Sequence, residues 1–593
     1  MKYQITKRND NGESGAALVM ALLMMALLLA LSMGMSMTAV SELGVTNTYA
    51  NQTQAFQAAE AGLYHALNLT RNYTGNTPTN TGFTSLLAER DTNGTFNTDR
   101  YTGNNPFTNP AQFAAGSVMI NDDDASGHWL RSANVDGAGN QIRVPGVSYR
   151  VHLVDDEKSS IAASPNIPNF NPAFAWEDGN VRIDTNNRVV AYSTGRYGSS
   201  SVTLEGWIGF VPYPAFVAQK DVTVSGNAQI EGAYGGVHSN GNLTVTGSAD
   251  IAQTATAVGT GTFTTNGTIG GFHSGGQAAI YIPKFVTAPT ATSTPHLQDY
   301  IVKTADVILL DDHFADGADR NLAGNVGTTP QVRKLADSLG VPSAQYTAFA
   351  SAIDSNASGD VTQANAEAIK ITRTTNPDTI SFTHETSNLG TYGWNYSNGS
   401  HDWDIPSNST GADGHTFYVV GVDHNVAGTS VVNGSVAVAK NGGNVTIHGN
   451  AGSLASPIHA TILTTGSIII NGNPYLTGNS VLKTPELPPF VQVRILFAAV
   501  EDIQVNGDVG AGAGQIKFSG ICYAGEQVDL SGSGDVDGQI LALNNPNVSG
   551  TGGSTASPVN QTNNTVTGHF TLNFNGGQAV GTISLMSWRQ IKQ

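Results

Sequence analysis

The residues whose types and spacing come nearest to a recognisable chemistry lie in Asp354-Ser-Asn-Ala-Ser-Gly-Asp-Val-Thr-Gln-Ala-Asn365. A calcium loop of the EF-hand type needs oxygen ligands at positions 1, 3 and 5. It also needs a glycine at position 6 for the sharp turn and a bidentate Glu at position 12. Asp354, Asn356 and Ser358 supply the oxygens, Gly359 supplies the turn, and Asp360, Val361 and Thr362 follow it. Position 5 is a serine and position 12 is Asn365, so the ligand charge is low. A Ca2+ ion held by Asp354, Asn356, Ser358, Asp360 and Asn365 is therefore expected to bind in the weak, extracellular range of ~10⁻⁴–10⁻³ M. The competing reading is a polar turn between two helices.

Other candidates are thinner. The single cysteine, Cys522 in Gly520-Ile-Cys-Tyr-Ala-Gly525, can form no internal disulfide and reads as a packed, inert thiol. His238, His273, His424 and His448 stand beside strand turns without metal-ligand spacing, so they read as satisfied or solvated turn residues. Asp529, Asp535 and Asp537 would have to converge on one face to act as the carboxylate pair of a glycan-cleaving site. They read equally well as turn residues. No nucleotide-binding or nucleophile-elbow fingerprint stands in a strand–turn–helix context, and the chain is expected not to be an enzyme.

The elements that position these residues form a repeat. Asp221-Val-Thr-Val-Ser-Gly-Asn227 aligns with Asn242-Leu-Thr-Val-Thr-Gly-Ser248 at an offset of 21. Asn444-Val-Thr-Ile-His-Gly-Asn450 aligns with Ser467-Ile-Ile-Ile-Asn-Gly-Asn473 at 23, and Asp502-Ile-Gln-Val-Asn-Gly-Asp508 with Gln527-Val-Asp-Leu-Ser-Gly-Ser533 at 25. Each unit is a short strand with two inward apolar positions, then a polar residue and a glycine for a corner. Such a period suits a β-solenoid, whose coils bury their apolar faces only by stacking. The alternative is a β-sandwich of hairpins, which would show spacings of roughly 8–12 residues. The solenoid is expected over 215–292 and 412–593. Between them, 293–411 reads as an insertion with helices at 332–339 and 343–353, separated by Gly340 and Pro342.

Composition agrees with a strand-rich chain. Of 593 residues only 12% are charged, against about 25% on average, and Gly alone numbers 68. The net charge of −18 repels nucleic-acid phosphates, so nucleic acid is not an expected partner. Ahead of the solenoid, 71–214 reads as an α+β head with strands at 147–154, 188–195 and 201–210, and a turn at Gly195-Arg-Tyr-Gly198. Pro212 and Pro214 mark its boundary. The fold class is thus mainly β with a long N-terminal helix.

That helix is the second strong signal. Between Glu13 and Glu42 lie 28 residues without a formal charge, enough to cross a bilayer, which takes roughly 20. Lys2, Lys7 and Arg8 precede it. Helical spacing continues through Phe56, Ala59, Leu63 and Leu67, predicting one stem over 16–70 whose second half packs beneath the head.

Gly15-Ala-Ala-Leu-Val19 together with Gln54-Ala-Phe-Gln-Ala-Ala-Glu-Ala-Gly62 resembles the N-terminal domain of PilX-type minor pilins, members of the type IV pilin group. The resemblance implies a prepilin leader over 1–15, cut by a prepilin peptidase between Gly15 and Ala16, with N-methylation of the new terminus. It also implies residence in the inner membrane before assembly, then a pilus at the cell surface where the stem packs against other pilins. Met20, Phe56, Glu60 and Leu63 would be its filament-packing positions. Met20 stands where major pilins carry a glutamate, a departure that resembles subunits placed at or near a filament tip. The extension would prime assembly or display a binding domain for adhesion to a surface, glycan or protein. The alternative is a membrane-anchored surface solenoid, structural or glycan-acting.

Overall fold

The computed structural model describes residues 13–72, 118–119, 130–135, 141–155, 188–285, 307–311, 343–345, 348, 367–375, 378–384, 395–397, 402–405, 415–420, 444–464, 466–479, 481–482, 493–509, 518–544, 563–576 and 579–591. These fall into two compact units. One is built from residues up to 209 together with those from 583 onward, the other from 210–582.

In the first unit a single helix, α1 (Glu13–Asn72), runs for 60 residues, roughly 90 Å at 1.5 Å per residue. An antiparallel sheet packs on its second half. Its strands are β1 (Val118–Met119), β2 (Leu130–Val135), β3 (Gln141–Asp155), β4 (Arg188–Tyr197) and β5 (Ser200–Pro212). The order across the sheet is β1-β3-β4-β5, with β2 also on β3. Beyond β5 comes the C-terminal strand Gly581–Ile591, so the last described element joins the sheet of the first unit. The repeat pattern carries the solenoid to residue 593; the structure corrects this. Residues from 583 on pair with β5, where an ion pair and apolar contacts described below hold them. The turn between β4 and β5 also differs, closing at Gly198 with φ 58° and leaving Gly195 inside β4.

The second unit is a parallel β-solenoid, and it excludes the hairpin sandwich. The three sequence offsets are its registers: Leu243 pairs with Val222, Ile468 with Val445, and Val528 with Ile503. Along one face the strands stack in the order Asp402–Ile405, Asn444–Gly449, Ile468–Gly472, Ile503–Val509, Val528–Asp537, Asn563–Val566, Asp221–Val224, Leu243–Gly247, Gly261–Thr265. Inward positions form continuous columns. Ile447, Ile470, Val505, Leu530, Val566, Val224 and Val245 succeed one another coil by coil, all buried. Each such side chain contributes about 1.5–3 kcal/mol when fully buried, and only a neighbouring coil can bury it. At the corner, Gly226 and Gly247 take φ 75° and 76°, and a Cβ on Gly247 would strike the backbone of Gly226 one coil away.

Coil order is not chain order. The chain joins the stack in its middle at Phe216–Ala218 and Asp221–Val224, then winds to the end formed by Gly261–Thr265 and Ile269–Ser274. It next runs back along the outside of the second face, on which Ile521–Ala524, Ile540–Ala542, Phe216–Ala218 and Val237–Ser239 stack in that order. Asn240 accepts from Ile280 N at 2.8 Å and donates to Ile280 O at 2.7 Å, and Phe285 meets Tyr523 edge-on with ring centroids 5.5 Å apart. Coils resume at the opposite end with Val307–Asp311 and Asp402–Ile405. The chain winds inward until Asn563–Val566 docks on Asp221–Val224 and Ile540–Ala542 on Phe216–Ala218.

Residues 307–311 and 402–405 therefore belong to the solenoid rather than interrupting it. The hairpin Glu367–Thr375/Asp378–His384 extends Val307–Asp311 antiparallel. The helices expected at 332–339 and 343–353 lie outside the described residues, apart from the short 3-10 turn Ser343–Gln345 and residue 348.

The closing seam is polar. Asn564 replaces an apolar residue at an inward position and is fully buried. Its Nδ2 donates to Asp221 O at 2.9 Å and to Asn544 Oδ1 at 3.0 Å, and its Oδ1 accepts from Val528 N at 3.1 Å. Gln539, equally buried, donates to Tyr213 O and Pro214 O at 3.1 Å each and accepts from Val580 N at 2.9 Å. Buried amides with all these bonds made cost little, whereas a shifted register would leave them unpaired.

Candidate functional site

The residues with the most specific placement are on α1 and its seat. From Gly15 to Ala50 every residue of the helix is exposed, Gly15, Ala16 and Met20 included. This stretch is long and apolar enough to cross a membrane, with a mean hydropathy of 2.6 over its most apolar window. From Ala55 onward one stripe is buried: Ala55, Ala58, Ala59, Gly62, Leu63, Ala66, Leu67 and Thr70. The spacing is that of a helix face, and the side chains are mostly small.

Small residues let the sheet approach closely. Gly195 of β4 lies against the helix backbone itself, and a Cβ there would strike the Ala55 carbonyl and the Ala59 nitrogen. Gly62 faces Ser193, Tyr149 and Val151 in the same way. The sequence pattern puts Phe56 in the stripe, but Phe56 is half-buried at its edge, 5.7 Å between centroids from Trp588 of the C-terminal strand. The signal that finds the true stripe is the run of Ala and Gly at i, i+3, i+4 and i+7 through 55–62.

Polar contacts fix the seat. His65 Nδ1 and the Tyr149 hydroxyl share a hydrogen bond of 2.9 Å, and burial pushes the Tyr149 phenol up from its ordinary pKa. Arg71 Nε donates to Ile583 O at 2.7 Å. Glu205 of β5 is 1% exposed and accepts from Arg589 Nη2 at 2.9 Å, Arg589 Nε at 3.2 Å and Trp207 Nε1 at 3.1 Å. A buried carboxylate is tolerated only with such partners, so this pair ties the C-terminal strand to β5. Sequence reasoning missed Glu205 and Arg589, which are 384 residues apart.

Of the four stem positions named from sequence, Leu63 is spent inside the molecule under the sheet. Phe56 and Glu60 are half-buried, and Met20 is fully exposed. Asp354, Asn356, Ser358, Asp360 and Asn365 lie outside the described residues, as does His424. Cys522 is buried in the solenoid core, and burial pushes its thiol up to about 12, so it is inert.

His238 is buried with both ring nitrogens bonded, His448 is half-buried, and His273 is exposed. The three aspartates do not converge. Asp529 binds the Thr565 hydroxyl on one solenoid face, while Asp535 and Asp537 pair along another with Thr571 and Asn573. Burial raises the Asp537 pKa. Among the described residues no group of three or more His, Cys, Asp or Glu is placed to hold a metal ion.

No family model matches the chain, and no curated protein does. Among solved structures, the competence-associated pilin ComZ from Thermus thermophilus aligns over 91% of this chain and 98% of its own. The identity is 11% and the TM-score 0.24, a likeness too slight to support a functional reading.

Proposed function

We propose that the chain is a PilX-type minor pilin, made as an inner-membrane prepilin and built into a type IV pilus-like filament, at or near its tip. The observation that carries this is the form of α1: one unbroken 60-residue helix, apolar and exposed over its first half, seated by small residues on an antiparallel sheet over its second. Prepilin peptidase would act at Gly15–Ala16. Other pilins would pack on the exposed half of the stem. The solenoid would serve display, offering its polar outer faces to a surface, glycan or protein rather than catalysing a reaction.

The test is the N-terminus of the protein recovered from membranes or pili, read by Edman degradation or mass spectrometry. A chain starting at N-methylated Ala16, and failure of processing in Gly15→Ala, is the expected result. An intact leader would mean an anchored surface protein and a cut beyond residue 34 a secreted one, and either would overturn the pilin reading.

A further inference from the structure

The stem is seated partly by residues that lie beyond the solenoid in the chain. Leu585 and Leu63 both lie over Gly206, where a Cβ would come within 2.9 Å of either side chain. Trp588 packs on Phe56, and the carbonyl of Ile583 accepts from Arg71 in the last turn of α1. The strand bearing these groups is fixed to β5 by Arg589 and Glu205. In sequence, β5 and this strand are separated by the whole solenoid, residues 213–580.

We infer that the strand Gly581–Ile591 is a completion latch, so that the second half of α1 is held in its seat only in a chain that continues past the solenoid and through this strand. A chain stopped anywhere in the solenoid still has β3 and β4, which touch the Ala/Gly stripe. It lacks Leu585, which lies beside Leu63 over Gly206, and Trp588, which packs on Phe56, and β5 is left as a sheet edge with Glu205 deprived of Arg589. Edges of that kind are prone to wrong pairing. A helix that loses apolar and hydrogen-bonded contacts along its buried stripe opens locally more often than one that keeps them. The latch thereby makes stem seating report on completion of the large domain that the subunit carries. This inference concerns the stem's seat alone and stands whether or not the chain enters a pilus.

The experiment is amide hydrogen exchange, read by mass spectrometry, on the chain in detergent micelles. The intact chain is compared with one stopped after Val580. Exchange across residues 56–71 is expected to rise at least tenfold in the shortened chain, while strands 216–224 and 521–542 keep their protection. Unchanged protection over 56–71 overturns the inference. If the shortened chain loses solenoid protection as well, the intact chain carrying Leu585→Ala and Trp588→Ala together decides. Faster exchange confined to 56–71 supports the latch, and no change there overturns it.

Discussion

His238 shows how a residue with metal-ligand chemistry is spent on structure. It is 3% exposed on the outer side of the second solenoid face. Its Nδ1 lies 2.7 Å from the Thr256 hydroxyl and its Nε2 2.9 Å from Asn240 Oδ1. An amide oxygen only accepts, so Nε2 carries the proton and Nδ1 accepts from Thr256. Burial lowers the His238 pKa, against a smaller upward pull from the Asn240 bond. With the folded pKa below the unfolded one, the unfolded chain takes up its proton first as pH falls. The stability contribution is full above the ordinary value of 6.5, declines as pH drops through it, and levels off below the folded pKa. The solenoid's Tm is expected to be lower at pH 5.5 than at pH 7.5, and His238→Gln to shrink that difference. Calorimetric scans at the two pH values check this, and an equal drop in both proteins would assign the effect to other groups. The neighbouring turns made this histidine readable as a satisfied residue; its partners, 18 residues ahead in Thr256 and two in Asn240, were set by the coil register.

At the scale of elements, α1 was legible because its signals are local: an uncharged run, then helical spacing. The depth of its seat was not. Gly195 reads as a turn residue, since glycine in a short sequence signals a bend as readily as a close contact. The structure uses it for contact, with the helix backbone where a Cβ would be. Gly195→Ala is expected to destabilise the first unit by about 3 kcal/mol, the upper end for overpacking, because the obstruction is backbone rather than a movable side chain. Gly198→Asn, at a turn whose φ of 58° asparagine tolerates and where a Cβ would meet only Asn51 Nδ2 at 3.9 Å, serves as control and should change stability far less. Denaturant unfolding monitored through residues of the first unit measures both, and equal effects would refute the close-approach account.

For the whole molecule, the coil offsets were readable because each coil repeats the same inward spacing, whereas the order of the coils in space was not. A chain that starts a stack in its middle, runs to one end and returns from the other leaves no periodic trace; only contacts such as Asn564 with Asp221, 343 residues apart, record it. This circular order has a consequence for the head. The strands leading into and out of the solenoid lie side by side, with Tyr213 N donating to Val580 O at 2.9 Å. The solenoid thus occupies the place of a loop between β5 and the C-terminal strand, and the cost of closing a loop grows only slowly with its length, by about 0.6 kcal/mol per doubling. Replacing 214–579 by a short turn while keeping 581–591 is expected to give a chain that still inserts its stem and protects residues 56–71 from exchange. Loss of that protection would mean that the first unit depends on the solenoid for more than connectivity. In cells that make the filament, the same deletion separates the two roles open to the solenoid. Normal piliation with lost attachment marks a display domain, and lost pili mark a cap required for assembly.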